Sequence, residues 1–216
     1  MLAADAFAAE WRDLARTLCL PIAVSETLLA ELQAGYDHPA RHYHTEKHIV
    51  AMLNGAAGLE FNDPDIARLA IFFHDVIYDP TRSDNEQRSA GLLREKLADL
   101  IAPERLDRAA GIIAATAGHQ PSDDHDTNLV LDLDMAILGQ PWPVYLSYAQ
   151  GVMAEYLPHI GDAAWRQGRI SLFIDPTLAR EDIFITENFK PLEIQARENL
   201  RHEKAWLSGN MPSALP

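Results

Sequence analysis

The 216-residue chain has only one cysteine, Cys19, so no disulfide can form within it. A single thiol is typical of proteins from a reducing compartment. No apolar run approaches the roughly 20 residues of a membrane span. The N-terminus also lacks the basic and apolar segments of a secretory signal. These absences predict a soluble, cytoplasmic protein that does not enter a membrane.

Positive charge is also scarce, with 18 basic residues against 32 acidic ones and a net charge of −14. Long nucleic acids are held largely by Lys and Arg side chains that neutralise phosphates, so this balance argues against such a partner. A small anionic substrate is compatible with it if a metal ion and a few cations reverse the field at one site. The general acidity is otherwise explained by solubility.

Hydrophobic residues make up 48% of the chain, enough for a full core, and their spacing predicts helices throughout. Leu129 to Leu138 fit a strand or a helix, and we favour a helix because no partner strand is evident. The polar stretch 118–128 is predicted as a loop. The predicted helical segments are 3–20, 24–36, 44 to 55 or 58, 64–79, 85–100, 103–117, 129–138, 143–157, 162–174 and 188–207.

This pattern predicts one all-α domain, a helical bundle of roughly eight to ten helices that spans residues 1–216. Its parts are N-terminal helices in 1–35, a core with the candidate site in 36–140, C-terminal helices in 141–208 and a frayed tail in 209–216.

His74 and Asp75 stand side by side within the apolar run at 70–78. A buried carboxylate needs a partner, and a divalent metal ion bound by both residues would supply one. The composition gives about 0.75 His-Asp pairs by chance. The chain has two such pairs, and the second, His125-Asp126, falls in the polar stretch predicted as a loop. Only the first pair lies among apolar residues. Other residues of metal-ligand type must decide whether this pair belongs to a metal site.

Further residues of metal-ligand type accompany this pair. His44 and His48 are four apart and share one face of a predicted helix. Asp132 and Asp134 point roughly 200° apart on a helix, so only one can face the core, and Asp134 has the apolar neighbours. His119 follows the end of a helix. A ligand set of imidazole and carboxylate groups favours Mn, Fe, Co, Ni or Zn over calcium. Open coordination positions on the bound ion would make the site catalytic.

The order His48, His74-Asp75, Asp134 resembles the HD-domain superfamily of metal-dependent phosphohydrolases. Flanking residues extend the likeness to a bacterial branch known as predicted HD-superfamily phosphohydrolases. The likeness covers about residues 36–205 and is carried by segments 41–48, 72–78, 85–86, 89–90, 132–134, 137–139, 168–169 and 183–186.

The resemblance implies an all-α fold of the HD type in which four residues bind a divalent ion, which would be Mn, Fe, Co, Ni, Zn or Mg. The four implied ligands are His48, His74, Asp75 and Asp134. Tyr43-His44 also looks like the start of cyclic-nucleotide phosphodiesterases, where the earlier histidine donates a proton to the leaving oxygen. Thr45 stands where those enzymes have asparagine.

The implied reaction is attack of metal-activated water on a phosphate ester of a small nucleotide or related metabolite. His44 or Glu86 would serve as general acid or base. His119 and Asp132 are candidates for a second metal or for substrate contacts. The nearest candidate cations for phosphate oxygens are Arg41, Lys47 and Arg82.

Simpler interpretations stay open for several of these residues. A capping box that begins at Ser83 would explain Glu86, and the helix dipole would explain a histidine at position 119. Arg41 and Arg82 are more typical of surface or salt-bridged residues than of phosphate ligands. Two other functions also stay open: a di-iron HD-type oxygenase with its second iron near His119, and a non-catalytic nucleotide-binding regulatory protein. Assembly of the chain into homo-oligomers is likewise open.

Overall fold

A computed structural model describes residues 3–209, and all regular structure there is helical. This confirms the all-α prediction and the expected number of helices. The predicted frayed tail lies outside the described residues from position 210 onward. The α-helices are α1 (Ala3–Thr17), α2 (Ile22–Tyr36), α3 (Glu46–Ala56), α4 (Pro64–Phe73), α5 (Asn85–Leu97), α6 (Pro103–Ala115), α7 (His125–Met135), α8 (Trp142–Gly168), α9 (Asp175–Ala179) and α10 (Glu193–Leu207).

The chain divides into two compact units, Met1–Asp134 and Met135–Pro216. All the residues proposed above as metal ligands belong to the first unit. Within residues 3–209, no helix is both long enough and apolar enough to cross a bilayer. The single-domain organisation stays a prediction.

The first unit is built around α4, which is buried on almost every side. Its residues 66, 67 and 69–73 are all buried, as a helix that is apolar all round requires. It packs against α1, α3, α5 and α6. Trp11 and Phe7 of α1 meet the ring of Phe72 edge to face, with centroids 5.3 and 5.1 Å away. Truncating such a buried ring costs about 3–5 kcal/mol, so this contact is a main source of stability.

The start of α4 is held by a buried carboxylate from the loop-predicted polar stretch. Asp126 is fully buried and accepts hydrogen bonds from the backbone N–H groups of Asn62 and Asp63, at 2.7 and 2.8 Å. Arg108 donates to it at 2.8 Å. Asp63 itself caps α4 through the N–H of Ile66. The second His-Asp pair therefore has a structural role: it joins the first turns of α4 and α7.

Two helix starts differ from the predictions. α7 begins at His125 and not at 129, because Asp124 accepts bonds from the N–H and hydroxyl of Thr127 and so caps the helix. α3 begins at Glu46, after an extended Thr45, so His44 precedes the helix and shares no helical face with His48.

The capping box predicted at Ser83 does not form. α5 begins at Asn85, after Asp84, whose side chain makes no cap hydrogen bond. The Asp84 carboxylate is instead paired with Arg82, at 2.6 and 2.7 Å. α5 also ends at Leu97, three residues before the predicted end.

The second unit contains α8, α9 and α10. The sequence predicts a break between helices 143–157 and 162–174. In the structure α8 breaks at Gly161, whose φ of 75° is accessible to glycine. Residues 169–174 are π-helical and not α-helical. Arg169 there is buried and paired with Glu203 of α10 at 2.9 Å. At Gly139 a Cβ would lie 2.5 Å from the Cβ of Leu192, so this position requires glycine.

We predict that Asp126→Asn lowers the free energy of unfolding by about 3 kcal/mol, because it removes the charge of a buried carboxylate that pairs with Arg108 and leaves two backbone N–H groups with poorer partners. Urea denaturation provides the measurement, with Asp123→Asn as the control because Asp123 is exposed and lies just before α7. A change below about 0.5 kcal/mol, as is usual at the surface, would contradict the structural role of Asp126.

Candidate metal centre

Four side chains of the first unit converge on one buried point. The Nε2 atoms of His48 and His74 lie 3.3 Å apart. The Asp75 Oδ2 atom is 3.0 Å from Nε2 of His74 and 3.8 Å from that of His48. The Asp134 Oδ1 atom is 3.0 Å from Nε2 of His48 and 3.7 Å from that of His74. The structure thus brings together the four residues expected as ligands.

The three shorter spacings, of 3.0 to 3.3 Å, fit one shared cation. Ligand atoms at about 2.1 Å from one ion and about 90–110° apart lie roughly 3.0–3.4 Å from each other. His48, His74 and Asp134 form a group that could hold a metal ion. Asp75 is not part of this group, although its carboxylate contacts His74. Two imidazole nitrogens and a carboxylate oxygen are a donor set typical of first-row divalent metals.

The second ring nitrogen of each histidine is held in place. Nδ1 of His74 lies 2.9 Å from the carbonyl oxygen of Ile71, which can only accept, so Nδ1 carries the proton and Nε2 faces the cluster. Nδ1 of His48 lies 3.1 Å from the hydroxyl of Tyr43. Such outer contacts orient metal-binding imidazoles. His48 lies in the first turn of α3 and is followed by the buried residue Ile49.

The His-Asp pair lies just beyond α4 and not on it, because the helix ends at Phe73. Its terminal carbonyls are satisfied by specific partners. The Phe72 carbonyl accepts from the buried Tyr36 hydroxyl at 2.9 Å, and the N–H of Val76 donates to the Phe73 carbonyl at 3.2 Å. This turn lets two adjacent residues point at one ion, which a straight helix would allow only at its edge.

Asp134 is the member of its pair that reaches the cluster, as predicted. The expectation that only one of the two faces the core is wrong, because Asp132 is 1% exposed and more buried than Asp134. Asp134 is only partly buried, whereas residues 129–133 are all buried, so α7 is enclosed on more than one side. Asp132 is not part of the group that could hold a metal ion.

The cluster has strongly shifted acid–base properties. Burial raises the pKa of Asp75, but the charges of His74 and His44 outweigh it and hold that pKa far below its usual range. Burial likewise opposes the ionised form of Asp134, yet hydrogen bonds from His119 and His48 hold its pKa well down. Burial lowers the pKa of His74, but Asp75 and Asp134 raise it to about 9. Both carboxylates are therefore ionised and require positive charge beside them.

His119 contacts the outer oxygen of Asp134. Its Nε2 atom lies 2.7 Å from Asp134 Oδ2, while Oδ1 faces the two histidines. The backbone of His119 has φ 47°, a left-handed conformation uncommon for a non-glycine residue. Such strain persists where surrounding structure holds it, and here it aims the ring at a candidate ligand.

His44 lies beside the cluster in the segment before α3. Its ring stacks on Tyr78, with centroids 4.3 Å apart and planes 30° apart, and meets Tyr43 edge to face at 5.0 Å. The His44 and His48 centroids are 6.1 Å apart. The electrostatic effect of His44 on Asp75 also places it near the carboxylate.

The remaining candidates are more dispersed. Arg41 donates to backbone carbonyls of the segments that carry His44 and Asp75, and Arg82 is paired with Asp84 at the surface. Lys47 is exposed and lines, with Arg41, a cleft of about 350 Å³. Glu86 is partly exposed in the first turn of α5, and among the described contacts none joins it to the four converging residues.

Sequence reasoning assigned no role to several residues that support the site. Asn85 exchanges hydrogen bonds with the backbone of Asp79, at 2.9 and 3.1 Å. Ser89 receives the N–H of Ile77 at 3.1 Å. These bonds fix the loop that follows the His-Asp pair. The signal was present in the sequence, since Asn85 and Ser89 belong to the segments that carry the HD-type resemblance.

A scan against protein-family models gives no match for this chain, and a search of curated proteins gives no significant match.

We predict that the wild-type protein binds one equivalent of Mn²⁺, Co²⁺ or Zn²⁺, and that His74→Ala and Asp134→Asn weaken binding at least about a hundredfold by removing a ligand. Metal content after dialysis, measured by inductively coupled plasma mass spectrometry, tests this. His125→Ala and Asp123→Asn are the matched controls, taken from the second His-Asp pair and its loop. Equal metal content in all five proteins would refute the site.

We predict that His119→Ala keeps one equivalent of metal but weakens its binding about ten- to a hundredfold, because a ligand carboxylate loses its orienting partner. Stoichiometry and affinity from calorimetric titration separate the two effects. A wild-type ratio of two that falls to one in the variant would show instead that His119 is a ligand of a second ion.

Proposed function

We propose that this chain is a metal-dependent phosphohydrolase of the HD-domain superfamily that cleaves a phosphate ester of a small nucleotide or related metabolite. The observation that carries the proposal is the convergence of His48, His74, Asp75 and Asp134, in that chain order, on one buried point of an all-α unit. The resemblance of the surrounding segments to the predicted HD phosphohydrolases supports the reaction class.

The four side chains would hold a divalent ion, and the pair of negative carboxylates would balance its charge. When bound, such an ion supplies Lewis acidity, which polarises a phosphate oxygen and lowers the pKa of water toward about 7. Asp75 and Asp134 are ionised well below neutral pH, so they are available as ligands across the physiological range.

His44 is the residue placed best for proton transfer. Its ring lies next to the cluster but outside the four converging residues, and stacking on Tyr78 holds it in one orientation. Imidazole is the side chain most often used for general acid–base catalysis. We assign it the general acid that protonates the leaving oxygen. Glu86 is the weaker candidate, because no described contact joins it to the cluster.

One cation adjacent in sequence to a site residue suits a small anionic substrate. Lys47 precedes His48 and is exposed, so its ammonium group is available to a phosphate. The net charge of −14 elsewhere disfavours a long polyanion. A phosphorylated metabolite that reaches only the metal and its nearest cations is therefore the favoured substrate class.

One observation favours a second candidate function. Asp134 directs one oxygen at the cluster and the other at His119, so His119 and Asp134 could help to hold a second ion. A di-iron oxygenase of the HD type would hold its second iron near His119. It would bind two irons and show an iron charge-transfer spectrum, whereas the phosphohydrolase needs only one redox-inactive ion.

We predict hydrolysis of at least one phosphate ester in a panel of nucleotides and sugar phosphates assayed with Mn²⁺, Co²⁺, Ni²⁺ or Mg²⁺. His74→Ala should lose at least about a hundredfold in kcat/KM, because it removes a ligand. His44→Ala should lose about a hundred- to ten-thousandfold in kcat while retaining metal, as expected for a general acid.

His125→Ala is the control for both variants, since its ring is exposed and bonds only the Glu60 carbonyl among the described contacts. If the metal-loaded protein turns over no substrate in the panel while it binds nucleotides tightly, the regulatory alternative replaces the enzyme.

A further inference from the structure

Arg41 is one of the cations first considered for phosphate binding, but its guanidinium is committed to the protein backbone. Nη1 donates to the carbonyls of His44 and Asp75, at 3.0 and 2.7 Å. Nη2 donates to the carbonyl of Val76 at 2.9 Å. One side chain therefore joins the segment before α3 to the turn after α4, across 34 residues of sequence.

The guanidinium is also confined from two sides. Its central carbon lies 5.1 Å from the centroid of the Tyr36 ring and 5.4 Å from that of Tyr78. Attraction between a cation and aromatic rings holds it in this position. Tyr78 is the ring on which His44 stacks, so the proposed general acid and Arg41 share one support.

This arrangement needs arginine specifically. A guanidinium is a rigid planar fork with five N–H donors, which can serve three carbonyls in fixed directions. A lysine ammonium is a compact group on a flexible stem, so it cannot reproduce the paired bonds. The carbonyls of Asp75 and Val76 lie in the turn beyond α4, where the helix offers them no N–H partner.

We propose that Arg41 is a positioning residue that fixes the Asp75 turn against the His44 segment and thereby holds the Asp75 carboxylate at the metal centre. It acts through backbone carbonyls and does not bind the substrate phosphate. The inference rests on the proposed function only for its effect on catalysis, since its effect on metal binding can be measured without substrate.

The test compares Arg41→Lys, which keeps the charge, and Arg41→Ala with the wild type in cobalt titrations without substrate. We expect about ten- to a hundredfold weaker Co²⁺ binding in both variants, as for other residues that orient metal ligands. The visible absorption of bound Co²⁺ should also shift, because Asp75 is no longer held. Added methylguanidinium should restore binding in Arg41→Ala and leave the wild type unchanged.

Arg197→Lys is the matched control. Arg197 also donates to three backbone carbonyls, those of Leu178, Arg180 and Glu181, at 2.7–3.1 Å, but in the second unit. Its replacement should lower stability in urea denaturation while leaving Co²⁺ affinity within about twofold. If Arg41 matters only for stability, Arg41→Lys will also lower stability and leave Co²⁺ affinity within about twofold. That result would overturn the proposal.

The phosphate-binding alternative has a different signature. It predicts unchanged Co²⁺ affinity and spectrum in Arg41→Lys, together with a raised KM for substrate, and this result would also overturn the proposal. If no substrate is ever hydrolysed, the cobalt titrations still decide the role of Arg41. Failure of the proposed reaction and failure of the positioning role are therefore separate results. Should Arg41→Ala not fold, Arg41→Lys alone carries the comparison.

Discussion

The candidate site of the first unit depends on the charge of two largely buried carboxylates, Asp75 and Asp134. Ionised groups are removed from water only when positive charge or several donors compensate them. Here the Nε2 atoms of His48 and His74 lie between the two carboxylates, and both histidines are oriented by contacts at their other nitrogen. His48, His74 and Asp134 could also hold a divalent cation, which would supply the same positive charge.

α4 is the helix that links the two carboxylates and their histidine partners to the rest of the fold. Its start is tied to α7 through Asp126, and its end is tied to α2 through Tyr36 and to the segment before α3 through Arg41. Because α7 carries Asp126 at one end and Asp134 at the other, the two His-Asp pairs of the sequence are connected by the same pair of helices. One pair supplies candidate site residues, and the other joins α4, which leads into that pair, to α7, which carries Asp134.

Many of the helices and of the candidate site residues could be predicted from the sequence. The helices follow from apolar spacing, and the start of α4 follows from Asn62-Asp63-Pro64, because a side-chain cap and a proline in the first turn act over a few residues. The set His48, His74, Asp75 and Asp134 follows from the resemblance to the HD-domain superfamily, and the apolar context of His74-Asp75 and the apolar neighbours of Asp134 support it. The start of α7 was predicted wrongly, because a polar stretch with an N-cap has the composition of a loop.

The sequence by itself therefore determined the all-α class, the main helices and the four residues that converge. Only the tertiary structure decided how they are held, because the deciding contacts join residues far apart in the chain. The bond from Arg41 to the Asp75 carbonyl and the bond from Asn62 to Asp126 span 34 and 64 residues. Side-chain types do not specify such partners. Packing around α4 brings them within hydrogen-bonding distance.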